Sequence, residues 1–261
     1  MKKLSLTLAL MLAICSFTGC GSDTSSDKAD KKDSSSSVEE TTAEAETTEE
    51  STEDSTDDEK EESTTDADSE ETTQSGDENS DFTRGKIEDD VYTSDFAGIK
   101  FTAPEGWTFA KDDYILSMMN IGLDVMGDNA AFNKALLDQA VIYDALCMDQ
   151  TTGANILFEY ENLAKEVPDP SKYTLDDVIA AFDKQLAAVD SIKYEKIESD
   201  TATIAGQEYT KLVYKAEMGT ISMEQVFYIR REGDLVFCII ASNGQSGEDM
   251  TKYEANIEAL N

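Results

Sequence analysis

The chain has 261 residues, with 56 Asp and Glu against 21 Lys and Arg, no histidine, and a formal net charge of −35 at pH 7. The lack of histidine excludes Ser-His-Asp and Cys-His catalysis and most catalytic zinc sites. The excess of negative charge disfavours nucleic acids and anionic lipid surfaces as partners, because like charges repel. We therefore predict a protein that is not an enzyme, binds no nucleic acid and needs no cofactor or metal.

The N-terminus has the pattern of a secretory signal. A positive segment, Met1-Lys2-Lys3, precedes residues 4–14, which are apolar apart from Ser5 and Thr7. This apolar run of about 11 residues is too short to cross roughly 30 Å of hydrocarbon as a helix. A positive head, a short apolar run and small residues together predict a signal peptide at residues 1–19.

The residues that follow, Phe17-Thr18-Gly19-Cys20, resemble the bacterial lipobox. The resemblance implies that Cys20 becomes the mature N-terminus and carries a diacylglyceryl group, whose chains anchor the protein stably in a membrane. The expected location is the extracellular face of the cell membrane. An ordinary signal cleaved near Cys20 is the alternative.

Residues 20–90 form a predicted acidic tether. From residue 21 to residue 90 the chain holds 27 Asp and Glu and 6 Lys and Arg, and its only bulky apolar side chains are Val38, Phe82 and Ile87. Such a segment cannot bury enough apolar surface to offset the entropy of ordering, so we predict disorder. A flexible chain of this length spans roughly 45–50 Å root-mean-square, which suits a Gram-positive type of envelope. A more specific role for the acidic residues at 66–71 would be calcium binding, but the glycine that calcium-binding loops require is missing there.

Residues 91–261 have the length of one domain. Alternation around Ile99 and Phe101 predicts a first strand, and the pattern then predicts helices over 112–125 and 129–139 and a hairpin of strands over 140–149 and 154–163. Thr174 begins a variant capping box with Asp177, followed by a helix with a continuous apolar stripe. Five further strands are predicted over 192–198, 201–204, 208–217, 221–230 and 235–241.

A last helix is predicted to begin at Ser246. Short links between the late strands favour antiparallel neighbours. The strand at 235–241 is apolar on both of its faces, which predicts helices on both sides of the sheet. The expected fold class is therefore α+β, an α/β/α sandwich around a mainly antiparallel sheet.

Two stretches of the domain resemble the PsbP-like family. They are the opening hairpin at residues 98–107, which contains the turn from Phe101 to Trp107, and the glycine-turn strand pair at residues 203–214. The resemblance implies an α/β/α sandwich over residues 91–261 and an accessory or binding role. It carries over no functional residue.

Three acidic residues on predicted strands are candidates for carboxylate chemistry. Asp144, Glu159 and Glu161 would suit a glycosidase-like hydrolase if two of them lay about 5–10 Å apart in a cleft. Solvent-facing acids on strands are the favoured interpretation.

Sulfur-bearing residues offer two further candidate sites. Cys147 and Cys238 would form a disulfide in an exported domain or remain buried thiols, and buried thiols are favoured. Met118, Met119 and Met126 at helical spacing would suit copper, but core packing is favoured. Trp107, Tyr114, Tyr143 and Tyr160 are assigned in the same way to packing rather than to a ligand groove.

Three functions remain open at this point. The favoured one is a non-enzymatic binding or accessory lipoprotein whose partner is an envelope protein or a cell-wall component, and an exposed apolar patch would support it. An extracellular solute-binding protein would show a deep pocket with convergent polar groups. A carboxylate-based hydrolase would show an acid pair in a cleft.

Overall fold

A computed structural model describes residues 81–260. The predicted signal peptide, the lipidation site Cys20 and most of the acidic tether lie outside these residues. None of the helices within 81–260 combines the length and the apolar character needed to cross a membrane.

The strands are β1 (Lys86–Glu88), β2 (Val91–Ser94), β3 (Ile99–Thr102), β4 (Thr108–Phe109), β5 (Val141–Met148), β6 (Asn155–Asn162), β7 (Lys193–Ile204), β8 (Gln207–Met218), β9 (Ile221–Glu232), β10 (Leu235–Ser242) and β11 (Ile257–Ala259). The α-helices are α1 (Asp112–Met118), α2 (Asn129–Leu137), α3 (Leu163–Glu166) and α4 (Leu175–Leu186), and 3₁₀ helices span Leu123–Gly127, Pro170–Lys172 and Met250–Asn256.

The strands form two antiparallel sheets. The larger sheet has the order β4-β5-β6-β10-β9-β8-β7, and the smaller has the order β1-β2-β3-β11. Strands dominate over helices, so the antiparallel α+β prediction is confirmed at that level. The prediction of a single sheet is wrong, because the early strands pair with one another and with the C-terminus instead of joining the large sheet.

Helix α4 covers one face of the large sheet. Its start is the predicted capping box: the Thr174 hydroxyl accepts a hydrogen bond from the Asp177 N–H at 3.2 Å, and the Asp177 carboxylate accepts one from the Thr174 N–H at 2.9 Å. The apolar stripe of α4 buries Phe182, whose ring lies 4.9 Å from that of Phe227 on β9. The central strand β10 is buried along its whole length, as its apolar sequence predicts.

The opposite face of the large sheet is covered by the small sheet. The rings of Tyr92 on β2 and Phe101 on β3 lie 4.5 Å and 5.3 Å from that of Phe158 on β6. A strand buried on both faces therefore does not require helices on both faces, because a second sheet buries apolar surface equally well.

The folded part begins before the predicted boundary at residue 91. The ring of Phe82 is buried between Phe96 and Tyr160, at centroid distances of 5.2 Å and 5.1 Å. Strand β1 pairs with β2 through a two-residue turn in which Asp89 and Asp90 both have positive φ, the hairpin geometry that matches strand twist. Two of the few bulky apolar residues of the acidic segment, Phe82 and Ile87, thus belong to the fold.

Two other predictions need correction. The helix predicted from Ser246 is a 3₁₀ helix over Met250–Asn256 followed by β11, because Ile257 pairs with Phe101 on β3. The strands predicted at 192–198 and 201–204 are one strand, β7, which carries a bulge between Lys196 and Glu198.

Candidate functional site

A groove of about 570 Å³ lies on the surface of residues 81–260, and we call it the β1–α2 groove. One wall is the β1 hairpin, and the other is formed by α1, the 3₁₀ helix at 123–127 and α2. The lining side chains mix polar and apolar groups. They are Thr83, Arg84, Gly85, Lys86, Ile87, Glu88, Thr93, Asp95, Asp112, Met126, Asn129, Phe132 and Asn133.

One of the exposed large hydrophobic side chains lies in the helical wall of this groove. Among residues 81–260 the exposed large hydrophobic residues are Tyr114 (52% exposed), Leu123 (55%), Met126 (38%) and Ile197 (53%). The first three lie within 13 positions of the chain, and Met126 lines the groove itself. Met126 and the half-buried Phe132 therefore give the groove an apolar portion.

A helix cap positions the groove residues of α2. The Asp128 carboxylate accepts hydrogen bonds from the N–H groups of Ala130 and Ala131 at 3.0 Å and 3.1 Å, so Asp128 caps the helix. Asn129, Phe132 and Asn133 then follow at helical spacing, three to four residues apart, and share the groove side.

The β1 wall is held by the buried carboxylate of Asp144, which lies at a bulge in β5. It accepts hydrogen bonds from the Tyr92 hydroxyl at 2.6 Å and from the Gly85 N–H at 2.8 Å, and the Arg84 Nε lies 3.6 Å away. Burial raises the pKa of Asp144, and the Tyr92 hydrogen bond and the Arg84 charge oppose that rise. Both oxygens of Asp144 are therefore engaged in structural contacts, and it is not a free acid. We call Asp144 together with Tyr92, Gly85 and Arg84 the clasp.

Arg84 links the two walls of the groove. Its Nε and Nη2 donate to the carbonyl oxygen of Asp144 at 3.2 Å and 2.9 Å, and its Nη1 donates to the Asp112 carboxylate at the start of α1 at 2.8 Å. With Arg84 committed in this way, the remaining charges of the groove are Lys86 against Glu88 and Asp95. The lining therefore holds one more acidic than basic side chain.

Glu159 and Glu161 are buried, which contradicts the prediction of solvent-facing acids. They are 3% and 1% exposed and lie at alternate positions of β6, on the face covered by α4. Burial raises the pKa of Glu159 from its ordinary value of 4.5 to about 8, and the pKa of Glu161 rises as well through burial and the nearby charge of Glu159. This enclosed pair does not form the open cleft that a carboxylate hydrolase requires.

The two cysteines are buried free thiols. Strand β6 lies between β5 and β10. Cys147 on β5 is opposite Ile156 of β6, and Cys238 on β10 is opposite Glu159 of β6. Since Ile156 and Glu159 are three positions apart on one strand, the two thiols point to opposite faces of the sheet. They cannot bridge without a rearrangement of the sheet, and the favoured interpretation as buried thiols is confirmed.

The prediction of core packing holds for Met118, Met119 and most of the aromatic residues but is wrong for Met126 and Tyr114, which are exposed. Met119 is buried, with its Sδ 3.4 Å from the Tyr143 N–H, whereas Met126 is exposed on a different helix. Trp107 and Tyr160 are in the core as well. In the part of the chain that the structure describes, no three His, Cys, Asp or Glu residues are placed to hold a metal ion.

No family model and no curated protein matches the chain. Among solved structures it is similar to the solution structure of cyanobacterial PsbP (CyanoP) from Synechocystis sp. PCC 6803, with 15% identity and a TM-score of 0.41, over 68% of this chain and 94% of that one. It is also similar to a crystal structure from Bacteroides thetaiotaomicron VPI-5482, with 13% identity and a TM-score of 0.34, over 66% of this chain. The chain spans 49% of that second protein. Both likenesses are distant and concern the fold alone.

Proposed function

We propose that the chain is a lipid-anchored protein of the extracellular cell surface whose folded domain binds a partner through the β1–α2 groove. The observation that carries this proposal is the apolar part of the groove wall, where the exposed side chain of Met126 and the half-buried ring of Phe132 both line the depression. Exposed apolar surface next to a well-formed depression is typical of interaction sites. A volume of about 570 Å³ is in the range of specific binding pockets.

The partner we propose is a positively charged, extended segment of an envelope protein. Its apolar side chains would cover Met126 and Phe132, and its charges would face Glu88 and Asp95. The net negative charge of the whole chain would favour the encounter. The acidic tether of the chain itself is a poor occupant, because it would bring negative charge to an acidic groove.

The anchor part of the proposal is supported by the sequence of residues 1–90. A lipid on Cys20 would fix the protein to the membrane, and the acidic tether would let the domain reach into the envelope. The clasp at Asp144 fits this arrangement, since it ties the first residues of the fold to the large sheet.

We also propose the α/β/α sandwich of PsbP-like domains as the finer architecture. Its support is the packing of α4 on one face of the large sheet and the turn from Phe101 to Trp107, and its departure from that architecture is the small sheet, which covers the opposite face. An extracellular solute-binding protein remains the alternative function.

Site-specific photo-crosslinking on living cells tests the binding proposal. A photoreactive residue would replace Met126 or Phe132, which both line the groove, in the full-length protein, and the matched control would replace Ile197, which is exposed but lies on β7. We expect the two groove positions to capture the same envelope protein through a basic segment, and the position at 197 to capture none. Added salt should weaken the capture, because the contacts are partly electrostatic.

Three outcomes would overturn the binding proposal. The first is equal capture from the groove and from position 197, and the second is capture of residues 21–80 of the chain itself. The third is the absence of any adduct from cells in which the protein is present at the surface. Binding of a small cationic solute in the absence of any protein adduct would favour the solute-binding alternative.

A further inference from the structure

The pocket beneath α4 contains a buried acid without a partner. Neither carboxyl oxygen of Glu161 has a hydrogen-bond partner among residues 81–260, although the side chain is 99% buried. Glu159, two positions earlier on β6, points into the same pocket, roughly 6.5 Å away along the strand. A buried polar group without a partner is rare and costs stability unless it is neutral or held by another group.

The surroundings of the two carboxyls are apolar. Helix α4 contributes Val178, Ile179 and Phe182 to the pocket, and the sheet contributes Phe227, Ile229 and Val236. The enclosed space is about 10 Å³, enough for about one water molecule and for no organic ligand.

The other titratable groups around the pocket do not supply a positive charge to it. They are Tyr143 on β5, Cys238 on β10 and Glu166 on α3, which act on the two carboxyls as neutral or negative neighbours. The cation on this face of β9 is Arg231, and its guanidinium donates to the carbonyl oxygens of Tyr173, Pro170 and Gly233. Ionised forms of Glu159 and Glu161 would therefore repel each other with no counter-charge in the pocket.

We propose that Glu159 and Glu161 form a proton-operated latch, in which the protonated pair allows α4 to pack on the sheet and ionisation of the pair releases it. The released state would expose the apolar stripe of α4 and the thiol of Cys238. This function is separate from binding at the β1–α2 groove, which lies against other elements of the fold. It would make the surface of the domain respond to the pH of the envelope.

The pH window follows from the difference between closed and open states. In the open state both carboxyls would ionise near pH 4.5, and in the closed state Glu159 holds its proton up to about pH 8. Opening therefore becomes more favourable as pH rises from about 4.5 to about 8, by up to about tenfold per pH unit for one carboxyl. Below that window the closed state has its full stability.

The two free thiols provide the measurement. Cys238 lies in the pocket and Cys147 is buried on the opposite face of the sheet, so the ratio of their labelling rates reports opening beneath α4 alone. The full-length protein would be labelled with N-ethylmaleimide between pH 5.5 and pH 8.5, and each adduct would be quantified on its own peptide by mass spectrometry. The common effect of pH on thiol reactivity cancels to a large extent in the ratio.

We expect the ratio of the Cys238 labelling rate to the Cys147 labelling rate to rise at least about tenfold over this range. A tenfold rise is the effect of about one pH unit when opening beneath α4 is linked to the ionisation of one carboxyl. The variant E159Q/E161Q, which mimics the neutral carboxyls, should show a ratio that stays constant within about twofold. The matched control E195Q, on exposed β7, should behave as the unmodified protein does. A flat ratio in the unmodified protein, or an equal rise in E159Q/E161Q, would overturn the latch.

A second measurement keeps the proposal open to refutation if the double variant does not fold. Amide hydrogen exchange of the unmodified protein, corrected for intrinsic rates, should accelerate with pH in residues 175–186 while residues 235–242 stay protected. Parallel acceleration in both segments would show global unfolding instead of a local opening and would overturn the latch.

Discussion

The Tyr92 hydroxyl donates a 2.6 Å hydrogen bond to the Asp144 carboxylate, and both side chains are at most 1% exposed. This bond joins the small sheet to a bulge in β5 of the large sheet. Asp144 also accepts a hydrogen bond from the N–H of Gly85, so one carboxylate holds both β2 and the residue directly before β1. The start of the folded domain is therefore held by a buried carboxylate that is hydrogen-bonded on both oxygens and surrounded by aromatic side chains.

Replacement of Tyr92 by Phe should weaken the clasp. The ring would still pack on Phe158, but Asp144 would lose a donor in a buried position, which costs about 1–3 kcal/mol of unfolding free energy. Urea denaturation would measure the loss, with Tyr114→Phe on the exposed face of α1 as the control that should change little. Equal stability of the two variants would show that the clasp does not stabilise the fold.

Gly85→Ala should also destabilise the domain. An added Cβ would lie 2.3 Å from the Tyr92 Cε2 and 2.8 Å from the Thr93 carbonyl oxygen, and the latter belongs to backbone that cannot move aside easily. We expect a loss of about 1–3 kcal/mol, as for overpacked sites. Gly127→Ala is the matched control, because a Cβ there meets no atom within 4 Å. If the melting temperatures of the two variants agree, the close approach at Gly85 is not real.

Stability should fall as pH rises through neutrality. The pKa of Glu159 is about 8 in the folded state and near 4.5 when exposed, so its contribution is complete below about pH 4.5 and is lost as pH rises toward 8. E159Q should remove roughly 2–4 kcal/mol of the difference between pH 5 and pH 8. Urea midpoints at the two pH values would measure this. A pH dependence that is the same in E159Q would show that Glu159 ionises normally in the fold.

The thiols of Cys147 and Cys238 should both be free in the purified protein. Their positions on opposite faces of the sheet prevent a bridge. Alkylation in denaturant without reductant, followed by peptide mass spectrometry, should modify both residues completely. A fraction that becomes alkylated only after reduction would contradict the register of β5, β6 and β10.

Local signals in the sequence were sufficient for much of the fold. The capping box at Thr174 and the stripe of α4 are properties of neighbouring residues, and the hairpin at residues 151–153 follows from its glycine and flanking strands. The C-terminal helix was predicted wrongly from the same kind of signal. There a long-range pairing of Ile257 with Phe101 overrides a locally plausible helix.

The candidate sites depended on contacts that sequence patterns do not contain. The alternation from Leu157 to Glu161 predicts a polar face, and only the placement of α4 over that face buries Glu159 and Glu161. The β1–α2 groove was missed because β1 lies in a segment whose composition is otherwise that of the tether. Phe82 and Ile87, rare bulky residues in an acidic stretch, were the signal that the fold starts there.

Residue 20 is the position where the account is tested most directly. Intact-mass and peptide mass spectrometry of the mature protein from the membrane fraction should find Cys20 as the N-terminal residue, with a diacylglyceryl group on its sulfur. The protein should leave the membrane fraction when Cys20 is replaced by Ser. An unmodified mature chain that begins at another residue and is released into the medium would contradict the account.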